Sequence, residues 1–240
     1  ELIKEAKHKC GVPVIASINC FSQGKWTSFA KEMERAGADA LEINIYSLPI
    51  AKYKSSIEIE NDYKEIVKSV SSVLNIPVAV KIGGEFTNLP QFVSSLKSYG
   101  ASAVTLFNRF YNPDISLKSL KIVPSHPFSG KHEYLKELRW IAILSSMLRN
   151  FDFSASTGVH DSNAAIKLLL AGAKSVQLCS ALYQQGPFIV ATFIEELKWF
   201  MEEKGFNSID EFCGMLNYAR IDHPEMFERV QFLKVAEKQK

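Results

Sequence analysis

Short apolar runs alternate along this chain with longer stretches in which apolar residues recur every three or four positions. The short runs, Pro13 to Asn19, Ala40 to Ile45, Pro77 to Ile82, Ala103 to Asn108, Phe151 to Ser156 and Ser175 to Ser180, predict strands. Between them the spacing predicts amphipathic helices over Thr27 to Ala36, Ile59 to Val73, Leu89 to Tyr99, Glu133 to Leu148, Asn163 to Ala171 and Phe188 to Lys204. Gly37, Gly100, Gly172 and Gly205 stand where helices should stop, since glycine adopts the left-handed conformation that ends them. The opening ELIKEAKHKCG reads as one more amphipathic helix. At the helix-to-strand junctions RAGADALEI, SYGASAVTL and LAGAKSVQL repeat one grammar, a glycine turn and then an apolar run buried on both faces, as in a parallel sheet. An open doubly wound sheet alternates in the same way. The lack of a GxGxxG fingerprint and the polar residues at most strand ends favour the (β/α)8 TIM barrel, an α/β fold. Six predicted strands fall short of eight, so the first two βα units are expected to be absent and the chain to carry barrel strands 3 to 8. It is read as a single domain over 1–240, with an excursion at 109–131 and a C-terminal helix and tail at 206–240, the helix opened by a capping-box pattern from Ser208 to Glu211.

Composition narrows the picture. With 240 residues, 47% of them hydrophobic, and a net charge of +2, the chain can bury a large core as one soluble domain. Its 28 Lys and Arg are interleaved with 26 Asp and Glu, which argues against nucleic acid as a partner. No apolar run approaches a membrane span. The cysteines Cys10, Cys20, Cys179 and Cys213 form no CxxC pair and have no histidine at zinc spacing, so no metal site is expected and a reducing, cytoplasmic setting fits.

Residues 151 to 182 read as a phosphate grip. Thr157, Gly158 and Val159 close one strand, Cys179 and Ser180 close the next, and each turn would offer main-chain N–H groups beside the positive end of a following helix. Two tight turns that need small residues for packing would look the same. Strand-end polar residues Ser17, Asn19, Glu42, Asn44, Lys81, Asn108 and Arg109, with Ser47 just beyond Asn44, would ring one mouth. Lys81 ends the apolar run IPVAV, where its ammonium either meets an anion or extends to solvent. Asn44 and Asn108 suit a planar ring rich in amides, or else form Asx turns. Of the histidines, His160 sits beside the first small-residue turn, within reach to donate a hydrogen bond there.

The motifs LEINIYSLP, IPVAVKI, VTLFNRFY, FSG, STGV and AGAKSVQLCSAL, in this order, resemble the dihydroorotate dehydrogenase family of FMN-dependent (β/α)8 barrels. LFNRFYNPDIS and LRWIAIL are most similar to its bacterial dihydroorotate dehydrogenase-like members. The resemblance implies FMN, hydride transfer to it from dihydroorotate or a related small cyclic substrate, and a homodimer. It makes Ser47 the base and Lys81 the cation that counters negative charge on the flavin, while Asn44, Asn108 and Arg109 hold substrate. Ser17, Asn44, Lys81, Thr157, Gly158, Val159, Cys179 and Ser180 would hold the cofactor, and Ser129 with Gly130 matches another loop near the phosphate. Leu48-Pro49 stands where orotate-using members have Pro-Asn, Arg109 replaces a small hydroxyl residue, and Thr157 and Cys179 replace glycines. Two alternatives stay open: a flavin-binding paralogue with a decayed or changed substrate site, and a phosphate-binding barrel lyase or isomerase without flavin.

Overall fold

Strict alternation in the strands separates an apolar face from a polar one, and this decides where helices can pack. The structure, a computed structural model, describes residues 1–20, 23–46, 48, 50 and 53–228, which divide into a unit Glu1–Pro127 and a unit Phe128–Lys240. The first unit runs α1 (Leu2–Lys9), β1 (Ile15–Ile18), a 3-10 turn (Gln23–Lys25), α2 (Trp26–Arg35), β2 (Ala40–Asn44), α3 (Ser56–Ser71), β3 (Val78–Ile82), α4 (Leu89–Ser98), β4 (Ala103–Leu106), β5 (Pro113–Ser116) and β6 (Lys121–Pro124). Strands β1 to β4 pair in parallel, with Ser17 level with Glu42, Asn44 with Lys81 and Lys81 with Thr105. On one face Leu41, Ile43, Val80, Ile82, Val104 and Leu106 are wholly buried, as are Ala30, Val67, Val93 and Leu96 on the surrounding helices. The junction runs were expected to be apolar on both faces. For β2 to β4 only this face is apolar, because Glu42, Asn44, Lys81 and Thr105 occupy the alternate positions.

Helix α3 begins with a complete capping box: Glu58 N–H donates to Ser55 Oγ (3.3 Å), and Ser55 N–H donates to Glu58 Oε2 (2.7 Å). The excursion folds as the antiparallel hairpin β5–β6, in which Ile115 faces Ile122.

The second unit runs α5 (Tyr134–Met147), β7 (Asp152–Ser156), α6 (Ser162–Ala171), β8 (Ser175–Gln177), α7 (Ser180–Gln185), α8 (Ile189–Lys204), α9 (Ile209–Phe212) and α10 (Glu225–Glu228). Strands β7 and β8 pair in parallel, α5 packs on α6 and β7, and Ile141, Leu144, Phe153, Leu168 and Phe212 fill the core. In both units parallel strands alternate with helices, which fits an α/β barrel-like fold. The end of the last strand and the cap at Ser208 differ from expectation. The run to Ser180 leaves the strand at Gln177 and Ser180 opens α7, since so short an apolar run does not distinguish strand from helix. The capping box at Ser208 does not form: Ser208 makes no side-chain cap bond, and Glu211 Oε2 accepts instead from Asn207 N–H (2.9 Å). No described helix is long and apolar enough to cross a membrane.

Candidate active site

Register places Ser17, Glu42, Asn44, Lys81 and Thr105 on one face of the first unit's sheet, because residues level with each other in a parallel pair point the same way. Glu42 is 5% exposed, and both its oxygens are engaged: Ser17 Oγ donates to Oε1 (2.9 Å) and Thr105 Oγ1 to Oε2 (2.8 Å). The reach from β2 to β4 passes over Ala79, whose methyl leaves room for it. One level further along, Asn108 Nδ2 donates to Asn44 Oδ1 (2.7 Å), while Asn108 N–H continues the ladder to Ile82 O (2.7 Å). Lys81, half-buried, is level with Asn44. An amide pair, a cation and a hydrogen-bonded carboxyl are thus gathered on neighbouring strand ends.

Just beyond β3 lies a pocket of about 140 Å³ lined by Ser56, Tyr63, Gly83, Phe86 and Phe110 among others. Phe110 packs on Tyr46 (ring centroids 4.2 Å apart) and so closely on Gly83 that a Cβ there would lie 2.7 Å from its ring. Arg109, beside it, donates from Nη1 to Pro127 O (3.1 Å).

In the second unit, β7 ends in two consecutive left-handed residues, Thr157 (φ 94°) and Gly158 (φ 76°). A β-branched residue rarely adopts that conformation, so the turn is held by its surroundings. At Gly158 a Cβ would lie 2.3 Å from Tyr134 N, which leaves glycine as the residue that fits. Val159 and His160 follow, buried. Ser129, from the loop before α5, donates its main-chain N–H (3.0 Å) and its hydroxyl (3.1 Å) to Ser180 Oγ, and its Oγ lies 2.9 Å from His160 Nε2. Cys179 is exposed and makes no side-chain cap bond. The helix following β7 departs from expectation: its own Asp161 already accepts from Ala164 N–H (2.9 Å), so part of its positive end is neutralised within the chain.

The sequence profile described as Dihydroorotate dehydrogenase matches residues 1–201. This chain belongs to the dihydroorotate dehydrogenase family. Relatives include the dihydroorotate dehydrogenase B (NAD(+)) catalytic subunit of Methanothermobacter thermautotrophicus, 28% identical over 210 residues that cover 85% of this chain and 69% of the relative. The protein of the same description from Methanocaldococcus jannaschii is 26% identical over 219 residues, 90% of this chain and 71% of the relative. That from Bacillus cereus strain B4264 is 28% identical over 212 residues, 85% and 67%.

Against this dihydroorotate dehydrogenase background, the residues expected to act fall into separate groups. Ser17, Asn44, Lys81 and Asn108 lie on strand ends of the first unit, and Thr157, Gly158, Val159, Cys179 and Ser180 lie in turns of the second. Ser47 and Pro49 lie outside the described residues. Thr105 and Phe110 were not anticipated. Thr105 reads as ordinary strand content in VTLF, and only the period of two, counted from Lys81 across the register, singles it out. Among the described residues no group of His, Cys, Asp and Glu is placed to hold a metal ion.

Proposed function

We propose that this chain is an FMN-dependent oxidoreductase of the dihydroorotate dehydrogenase type, oxidising dihydroorotate or a related small cyclic substrate. The observation that carries the reading is the Asn44–Asn108 amide pair with Lys81 on the level of Asn44. Such a row of donors, acceptors and one cation suits a planar ring of carbonyls and ring nitrogens that gains negative charge on reduction. FMN supplies the hydride acceptor. Lys81 and Asn44 would hold its ring, with Ser17 beside them and Lys81 countering negative charge. Thr157, Gly158, Val159, Cys179 and Ser180 would take its phosphate through main-chain N–H groups and hydroxyls. Asn108 would orient the substrate. Ser47 is the proposed base, and a serine in that role needs a closed, dry surrounding to take up a proton.

A second reading, a paralogue with a changed substrate, is favoured by Arg109. One of its guanidinium N–H groups donates to Pro127 O, and the Leu48-Pro49 pair after Ser47 carries no side-chain amide. One experiment separates the readings: the purified protein's visible spectrum, followed anaerobically as dihydroorotate is added. Flavin absorbance that bleaches supports the first reading, with Lys81→Met slowing the bleaching by about a hundredfold. Flavin colour that does not bleach supports the second. A protein that neither carries nor binds flavin refutes both.

A further inference from the structure

We propose that His160 is a positioning residue for phosphate recognition, acting through a one-way chain of hydrogen bonds that ends in the hydroxyl of Ser180. This rests on the FMN reading above and names how one of its contacts is made. His160 and Ser129 are 6% and 8% exposed, whereas Ser180 is half-buried, so the chain runs from the interior outward.

With Ser129 donating its hydroxyl proton to Ser180, the rest of the chain follows by proton counting. Ser180 Oγ accepts from both the N–H (3.0 Å) and the hydroxyl (3.1 Å) of Ser129. A hydroxyl oxygen has two lone pairs, so Ser180 has only its own proton left to offer. Ser129 has one hydroxyl proton and spends it on Ser180, so its oxygen is an acceptor toward His160 Nε2 at 2.9 Å. The proposed direction therefore requires His160 to carry its proton on Nε2. The imidazole N–H donates to Ser129, Ser129 donates to Ser180, and Ser180 presents a donor, each bond polarising the next. The opposite orientation would leave Ser180 presenting a lone pair, which repels an oxyanion. A donor-only hydroxyl suits the terminal oxygens of a phosphate monoester, since a bond to an ionised acceptor is among the stronger ones. The three residues come from three segments, the loop before α5, the turn after β7 and the start of α7, and the Gln185 side chain donates to His160 O (3.4 Å) to help hold the turn.

The test titrates the full-length apoprotein with FMN and, separately, with riboflavin, which lacks the phosphate, and reads flavin fluorescence. Ser180→Ala and His160→Leu should weaken FMN binding by about tenfold to a hundredfold, the loss of one hydrogen bond to a charged group. Riboflavin affinity should not change. His160→Gln, which keeps an N–H donor, should recover most of the FMN affinity, a rescue that a purely space-filling role would not show. Nitrogen-15 NMR of the His160 ring should find Nε2 protonated. An unprotonated Nε2, or Ser180→Ala and His160→Leu proteins that bind FMN as the parent does, would overturn the proposal. So would a parent protein that binds riboflavin as tightly as FMN. A parent that binds neither flavin refutes the FMN reading itself. If His160→Leu fails to fold, it loses both flavins together, and Ser180→Ala, altered at a half-buried hydroxyl, decides the matter.

Discussion

Glu137 shows what a single misplaced charge costs. It lies on α5, 3% exposed, on the same helical face as Tyr134 and Ile141, and its Oε2 has no hydrogen-bond partner. Burial disfavours the charged form and pushes the carboxyl up to about 8; its own main chain and Lys136 offset only part of this. The unfolded chain titrates near the ordinary carboxylate value, so between that value and about 8 the folded protein holds a proton that the unfolded one has lost. The sign follows: the stabilisation is fully present below the unfolded pKa and is lost as pH rises through the folded one, with a slope approaching about 1.4 kcal/mol per pH unit. Glu137→Gln keeps the shape and removes the titration. Urea unfolding at a series of pH values should show the parent losing stability across that window while the variant does not. Parallel curves for the two proteins would mean that Glu137 is solvated.

Across elements, the organising contact is Glu42, which ties β1 and β4 to β2 through Ser17 and Thr105. Thr105 is 1% exposed, so its hydroxyl depends on that carboxyl for a partner. Glu42→Leu should therefore cost about 1–3 kcal/mol, the penalty for stranding a buried donor, beyond any gain from the apolar replacement. Thr105→Val removes the donor as well. In the double variant the loss should be smaller than the sum of the single losses, because two groups bonded to each other couple. Additive losses in urea midpoints would show that Thr105 relies on another acceptor. The strands that carry these residues were legible from their period, and Lys81 and Asn44 stood out as polar positions in apolar runs. Thr105 did not, because threonine is common strand content and its meaning depends on a partner 63 residues away. Ser129, His160 and Ser180 were each singled out, but the bonds between them were hidden for the same reason: they are separated by 31 and 51 positions along the chain, and only the placement of three turns brings them together. The break between β8 and α7 was hidden for another, since SALYQQ has neither the length nor the contrast to declare a helix.

At the scale of the whole molecule, the proposed cofactor makes a claim about stability that needs no substrate. A ligand that binds only the folded state, present at about a hundred times its dissociation constant, contributes about 2.7 kcal/mol. For a chain of 240 residues each kcal/mol raises the midpoint of thermal unfolding by roughly 2–4 °C, so saturating FMN should raise it by about 5–10 °C. Riboflavin at the same concentration should raise it less, by the share owed to the phosphate, and Ser180→Ala should bring the FMN shift down toward the riboflavin shift. Lys81→Met should lower both shifts together, because it acts on the ring common to the two ligands. This pattern separates the two groups of residues without any turnover. A midpoint indifferent to FMN up to millimolar concentration would remove flavin from the account of this protein, whatever its family.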